Sequence, residues 1–341
     1  MLLHGCGAAL PTATPTSTRA ALTSTAMPQP SATPAPSPPP EGTTVALARA
    51  ESVRDAVERA VEMAGGLDFI RPGDTVLVKP NVNSPDPYPA TTNPEIVEAV
   101  VRLVLQRDPK RVIVADRSGP NVWGSGFGDT IAYMKAVGIY DAALEAGAEV
   151  ASFDDGPWVS VSPPGAANWP GGFSVPQAIT DVHHIISLPV VKTHFIAGFT
   201  MSLKNWVGLL HPNDRMSPLH NSGTGEPTFG HLVAELNLAA APSLVVMDGT
   251  RAFVSGGPAS GDAVDPGLVI ASRDRVANDV VGLALLKMLG TTERIQTPSV
   301  WEQPQIARAV ELGLGVTRAD QIRLEADGVP EIEEIHRHLM A

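Results

Sequence analysis

Short continuous apolar runs alternate along the chain with stretches in which apolar residues recur at three-and-four spacing, and this alternation predicts the elements. Residues 43–48 read as a strand, after which Val53, Ala56, Val57, Ala60, Val61 and Ala64 mark one face of a helix that Gly65 and Gly66 stop. Residues 75–78 read as a buried strand, 94–106 as a helix with Ile96, Val100, Leu103 and Val104 inward, and 111–115 as another buried strand. A helix over 131–146 follows, then strands over 149–153, 185–191, 244–247 and 268–271. The stretch 276–289 reads as a helix apolar nearly all round, and 305–312 as a further helix. Short apolar strands between amphipathic helices predict an α/β fold: a mostly parallel, doubly wound sheet with helices on both faces.

Two stretches interrupt the alternation. Residues 156–176, rich in Pro, Gly and Trp, and 210–230, rich in His, Pro, Gly and Asn, read as long loops of the kind that carry function at the carboxyl ends of strands. No internal repeat is evident. The glycine-rich run 124–128 lacks the Lys-Ser/Thr of a phosphate-binding loop and reads as a lid or turn. Ser255-Gly256-Gly257-Pro258 reads as a turn rather than a nucleophile elbow.

Composition divides the chain in two. Residues 11–40 are almost entirely Pro, Thr, Ser and Ala, which cannot offset the entropy of ordering, so 1–42 is expected to be a disordered tether and 43–341 a single α/β domain. Before the tether stands Leu3-His4-Gly5-Cys6-Gly7, which resembles a bacterial lipobox, with Cys6 as the lipid acceptor. The basic and hydrophobic regions of a signal peptide are missing. The expectation is therefore an extracytoplasmic, membrane-tethered lipoprotein whose true start lies upstream; the alternative is a cytoplasmic protein with an N-terminal extension.

Charge and cysteine usage narrow the partners. Lys plus Arg total 24 against 36 Asp plus Glu, a net charge of −12, and no basic run tracks a polyanion, so nucleic acid is not an expected partner. No stretch approaches the roughly 20 apolar residues that cross a bilayer. Cys6 is the only cysteine, which leaves no intrachain disulfide and no thiolate cluster.

In a doubly wound sheet ligands bind beyond the carboxyl ends of the strands, so the residues following each apolar run are informative. Those are Lys79-Pro80-Asn81, Asp116 with Ser118-Gly119, Lys192-Thr193-His194 and Asp248-Gly249. Any one of them is expected at a solvent-facing strand end; four together suggest a shared site. Lys204-Asn205, within an apolar helix-like segment 199–210, adds a further cation, which in the plainer reading snorkels to solvent. Lys79, Lys192 and Lys204 are candidates to hold a small anion, a carboxylate or phosphate, with Asn81 and Asn205 orienting it. His194 or Asp116 would move a proton, with Lys192 beside them.

Six of the nine histidines, His183, His184, His194, His211, His220 and His231, lie in one region. With Asp116 and Asp248 they could offer nitrogen and oxygen ligands to a divalent metal such as zinc or manganese, Asp248 and His220 being the candidate pair.

The order of segments resembles the family catalogued as domain of unknown function 362. The resemblance is carried by Val78-Lys79-Pro80-Asn81, Thr91-Thr92-Asn93-Pro94-Glu95, Pro189-Val190-Val191-Lys192-Thr193-His194, Ser202-Leu203-Lys204-Asn205-Trp206-Val207-Gly208, His220, Val246-Met247-Asp248-Gly249, Gly256-Gly257-Pro258 and Val276-Ala277-Asn278-Asp279. It spans residues 43–325 and implies a domain without a named reaction. Some members carry a ferredoxin-like module with iron-sulfur clusters; this chain has no cysteines for one. Two functional expectations stand: an enzyme acting on a small anionic molecule, with or without a metal, or an extracytoplasmic binding protein that holds the same anion without chemistry.

Overall fold

A computed structural model describes residues 42–120, 126–220 and 228–341. The tether expected over 1–42, including Cys6, lies outside the described residues except for Gly42. The strands are β1 (Thr43–Ala48), β2 (Thr75–Pro80), β3 (Arg111–Asp116), β4 (Glu149–Ser152), β5 (Trp158–Val161), β6 (Phe173–Pro176) and β7 (His184–Leu188). They continue with β8 (Val190–His194), β9 (Gly198–Thr200), β10 (Leu244–Phe253), β11 (Ala263–Val264), β12 (Leu268–Ser272) and β13 (Ile322–Asp327).

The main sheet runs in the order β13-β1-β12-β10-β7-β2-β3-β4. Every neighbouring pair in that order is parallel except the two made by β12, which runs antiparallel to β1 and to β10. The carboxyl ends of β2, β3, β7 and β10 therefore share one edge. The fold is α/β with a mostly parallel sheet, as the alternation of runs predicts.

Strand side chains point alternately to opposite faces, and here both faces are covered. Val45, Leu47, Leu77, Val245, Met247 and Ile270 join the core cluster that includes Val280 and Leu283 of the helix Arg275–Leu289 and Leu232 of the helix Thr228–Leu236. Their neighbours Ala46, Val76, Val78, Val246 and Val269 join the opposite cluster, with Val57 of the helix Val53–Met63 and Ile96 of the helix Pro94–Leu105. Arg275–Leu289 is buried along nearly its whole length, which explains its all-round apolar sequence.

The structure departs from the sequence reading at several places. The helix expected over 131–146 is two helices, Thr130–Ala136 and Ile139–Ala146, because Gly138 between them takes φ +80° and turns the chain in a conformation that favours glycine. The apolar run 185–191 is not one strand. Pro189 splits it into β7 and β8; having no N–H to offer the ladder, it contributes only its carbonyl, which accepts from Asp248 N at 2.8 Å. β8 then leaves the path of β7 and pairs with β10 in a shifted register.

The loop 156–176 contains a small antiparallel hairpin of β5 and β6. The loop 210–230 begins with helical turns at Pro212–Asp214 and Arg215–His220 and runs into the helix Thr228–Leu236; its residues 221–227 lie outside the described residues. Of the run 124–128, the first two residues lie outside them as well, and Phe127 bridges to Pro120. Ser255–Pro258 forms a bend, as expected. Among the described residues no helix is long and apolar enough to cross a membrane.

Candidate functional site

The site begins where β2 and β3 end side by side. Burial of Lys79 and Asp116, each about 1% exposed, forces them to satisfy one another: Lys79 Nζ lies 2.5 Å from Asp116 Oδ1. The other carboxylate oxygen accepts from Val82 N at 2.7 Å, which pins the turn leaving β2. Lys79 Nζ also donates to Pro80 O at 3.1 Å and to Asn205 Oδ1 at 3.2 Å. Asn205 Nδ2 completes the arrangement by donating to Ser187 Oγ of β7 at 3.0 Å.

Asn205 and Lys204 sit on the short helix Ser202–Asn205. So short a helix does not hold its own orientation, and a buried carboxylate fixes it: Asp279 accepts from Ser202 N at 2.7 Å and Leu203 N at 3.0 Å. Gly208, in the turn that follows, stands against the ion pair; a Cβ there would collide with Asp116 Oδ1 and Lys79 Nζ.

β8 delivers the second cation. Lys192 Nζ donates to Asn81 Oδ1 at 2.7 Å and to the carbonyl of Ala90. Asn81 is held in turn by Thr92, whose Oγ1 accepts from Asn81 N at 2.8 Å and donates to Leu188 O at 2.7 Å. Arg215 arrives from the loop after the short helix and donates to Ser118 O at 3.1 Å and Asn83 Oδ1 at 2.7 Å. Arg117, next to Asp116, pairs with Asp154 at 2.8 Å and lies over the Phe127 ring at 3.9 Å.

Together these residues line a small cleft that is partly open to solvent. Lys79, Asn81, Asp116, Lys192, His194, Lys204 and Asn205 line it, and so do Asn83, Arg117, Thr200 and Arg215. The first seven are residues that the strand ends and the Lys204-Asn205 segment single out. Of the other four, Arg117 was within reach of the same logic, since it follows Asp116 directly. Arg215 stood alone in a long loop and carried no signal of its own.

The remaining two expected residues do not join the cleft. Asp248 is not at a strand end, because β10 runs on to Phe253. Its oxygens accept from Asn93 N at 2.9 Å and from Thr250 N and Oγ1 at 3.0 and 2.7 Å, and Tyr88 hydroxyl meets Thr250 Oγ1, so Asp248 anchors the segment between β2 and the next helix. His220 Nδ1 donates to Arg215 O at 2.5 Å, and its ring meets Phe229 edge-on. The metal pair read from Asp248 and His220 therefore does not assemble at the cleft. Among the described residues no group of three or more His, Cys, Asp or Glu is arranged to hold a metal ion.

The cleft is electrostatically lopsided. It is lined by Lys79, Lys192, Lys204, Arg117 and Arg215 against a single carboxylate, Asp116. Lys192, Lys204 and Arg215 have no ion-pair partner among the described residues, although all three are buried. Burial accordingly pushes Lys192 down to about 7. Burial, aided by the charges of Arg215 and Lys192, brings Lys204 down to about 7 as well. Arg215 is pushed to about 9 by burial and Arg117, and stays charged at neutral pH.

Lys204 does not snorkel. It is 9% exposed, and its Nζ makes no hydrogen bond to any described residue, lying 6.0 Å from the Phe229 ring centroid. His194 is held neutral by burial and by the nearby Lys204 and Lys192 charges. Its Nδ1 accepts from Ile196 N at 3.1 Å and Ala197 N at 3.3 Å, so the ring proton sits on Nε2. His194 is therefore a hydrogen-bond donor to the cleft, and the base expected of it is not available at Nδ1. Asp116 holds one hydrogen bond on each oxygen, from Lys79 Nζ and from Val82 N.

The fold and the cleft define an α/β protein with a buried cationic site at the carboxyl edge of its sheet. Residues 76–284 match the family Domain of unknown function (DUF362), and the chain belongs to that family. A relative, the thylakoid-associated protein sll1697 of Synechocystis sp., is 29% identical over 282 residues, covering 80% of this chain and 78% of the relative. Among solved structures, lactate racemase apoprotein from Thermoanaerobacterium thermosaccharolyticum aligns over 88% of this chain and 87% of its own, at 13% identity and a TM-score of 0.38.

Two measurements follow from the geometry. Gly208→Ala drives a methyl group into the Lys79–Asp116 pair and should cost about 1–3 kcal/mol of stability in urea unfolding; an unchanged midpoint would show that the pair has room to move. The second concerns pH. Because Lys192 and Lys204 titrate near 7 when folded but at 10.5 when unfolded, the unfolded chain binds more protons between those values. The stability of the empty protein should therefore rise with pH from 7 to 9. Lys204→Met should flatten that rise and stabilise the empty protein at pH 7 by about 1–4 kcal/mol, read by thermal melts.

Proposed function

We propose that the chain is an enzyme acting on a small anionic molecule, in which the buried cations hold the anion and Lys204 exchanges a proton with it. The observation that carries this reading is the Lys204 side chain: it is 9% exposed, it lines the cleft, no described residue bonds its amine, and at about 7 the amine is present in both protonation states at neutral pH. A lysine in that condition can take or give a proton, which one paired to a carboxylate cannot. The strand-end residues then divide the work. Lys192, Arg215 and His194 Nε2 supply charge and hydrogen bonds to the anion, while the Lys79–Asp116–Asn205 group keeps the floor of the cleft rigid.

The second reading, a binding protein that performs no chemistry, is favoured by the hydrogen bonds that already engage Asp116 and His194 Nδ1, which leave Lys192 and Lys204 as the groups that exchange protons near neutral pH. Deuterium exchange separates the two. A ligand recovered with the purified protein and identified by mass spectrometry is returned to it in D2O and followed by NMR. The enzyme reading expects exchange or conversion with the wild type and at least a hundredfold less with Lys204→Arg, which keeps the charge. A ligand that binds and stays chemically unchanged with the wild type sinks the enzyme reading and leaves the binding protein.

Location belongs to the same proposal. The lipobox-like run Leu3-His4-Gly5-Cys6 supports attachment through lipid on Cys6, and the Synechocystis relative is named as thylakoid-associated. Membrane fractionation with intact-mass measurement of the mature protein tests it, and an unlipidated protein recovered wholly in the soluble fraction overturns it.

A further inference from the structure

The hydrogen-bond account of the cleft is one-sided, and the side it lacks describes the ligand. Every side-chain carboxylate and amide oxygen that lines it already holds a hydrogen bond: the two Asp116 oxygens from Lys79 and Val82, Asn81 Oδ1 from Lys192, Asn205 Oδ1 from Lys79 and Asn83 Oδ1 from Arg215. The donors are not. Arg117 Nη2, Arg215 Nε and Thr200 Oγ1 are buried without a partner, and Lys204 Nζ has none among the described residues. His194 adds an Nε2–H, since its Nδ1 is occupied.

Unsatisfied buried donors cost about 1–3 kcal/mol each, more when charged, so a cleft that leaves this many open is shaped for a group made of acceptors. The open donors lie on separate segments: Arg117 after β3, His194 and Thr200 on β8 and β9, Lys204 on the short helix and Arg215 in the loop beyond it. A planar carboxylate offers two oxygens and one charge. The open donors outnumber its oxygens, and three buried cations without carboxylate partners exceed its charge.

We infer that the anionic group taken by this cleft is a phosphoryl group, carried by a small phosphorylated molecule. The inference rests on the anion-binding part of the proposed function and narrows it to one substrate class. A phosphoryl group presents three terminal oxygens in a tetrahedral array and carries about −1.5 to −2 charge near neutral pH. Its oxygens can accept from the Arg117 and Arg215 guanidinium groups, the Lys204 amine and the Thr200 hydroxyl together, and its charge compensates Lys204 and Arg215. Binding it draws the two partly neutral lysines to their charged forms, so at pH 8 the complex takes up protons from solution.

The test uses the folded chain in a chloride buffer without oxyanions, titrated with inorganic phosphate, methyl phosphate, acetate and succinate by isothermal calorimetry. Repeating the phosphate titration in two buffers of different ionisation heat counts the protons exchanged. Expected are binding of phosphate and methyl phosphate at least tenfold tighter than of acetate or succinate, and net proton uptake at pH 8. A tenfold or greater loss is expected with Arg215→Met and with Lys204→Met, the latter having no bond to a described residue to lose and serving should the arginine variant fail to fold. Acetate or succinate binding as tightly as the phosphates overturns the phosphoryl inference and leaves the anion site standing. Failure of all four probes to bind overturns both.

Discussion

The Lys79–Asp116 ion pair is the contact on which the rest of the site depends. It ties the carboxyl ends of two adjacent parallel strands, and through Val82 N and Asn205 it reaches the turn after β2 and the short helix that carries Lys204. Two opposite charges so fully removed from water gain little net stability from each other, because the desolvation of both offsets most of their attraction. What the pair secures is position. Remove either partner and a buried charge is left alone, so β2, β3 and the Lys204 helix are held in one arrangement.

Much of this was readable from the chain, for a physical reason. A parallel sheet buried on both faces needs continuous apolar strands, and polar residues can begin only where the strand leaves the core. The transitions at Val78-Lys79 and Val114-Ala115-Asp116 are therefore visible as breaks in hydrophobicity. The same logic misplaced Asp248, because Gly249-Thr250 looks like a strand end. In fact β10 continues, and Gly249 serves a close approach in which a Cβ would crowd Leu268 O. Pro189 likewise hid a strand break inside an apolar run.

The unread part of the site depends on contacts between segments far apart in the chain. Whether Lys204 snorkels or stays buried is set by Phe229 and by the loop that brings Arg215, not by its neighbours in sequence. Arg215 reaches Ser118 and Asn83 across roughly a hundred positions or more of chain, a pairing to which no local pattern points. The protonation geometry is hidden for a similar reason: the sequence shows that His194 and Asp116 are present, but only the fold shows which of their acceptor atoms already hold a hydrogen bond.

A lining whose side-chain carboxylate and amide oxygens already hold hydrogen bonds also differs in sign from the rest of the chain. A bare divalent cation entering the cleft would meet ammonium and guanidinium groups and, among the described residues, no side-chain carboxylate or amide oxygen without a partner, although the chain as a whole carries −12 and attracts cations to its surface. The charge lining the cleft is thus opposite in sign to that of the chain as a whole, so any selection there acts through chemistry at contact range rather than through the long-range field.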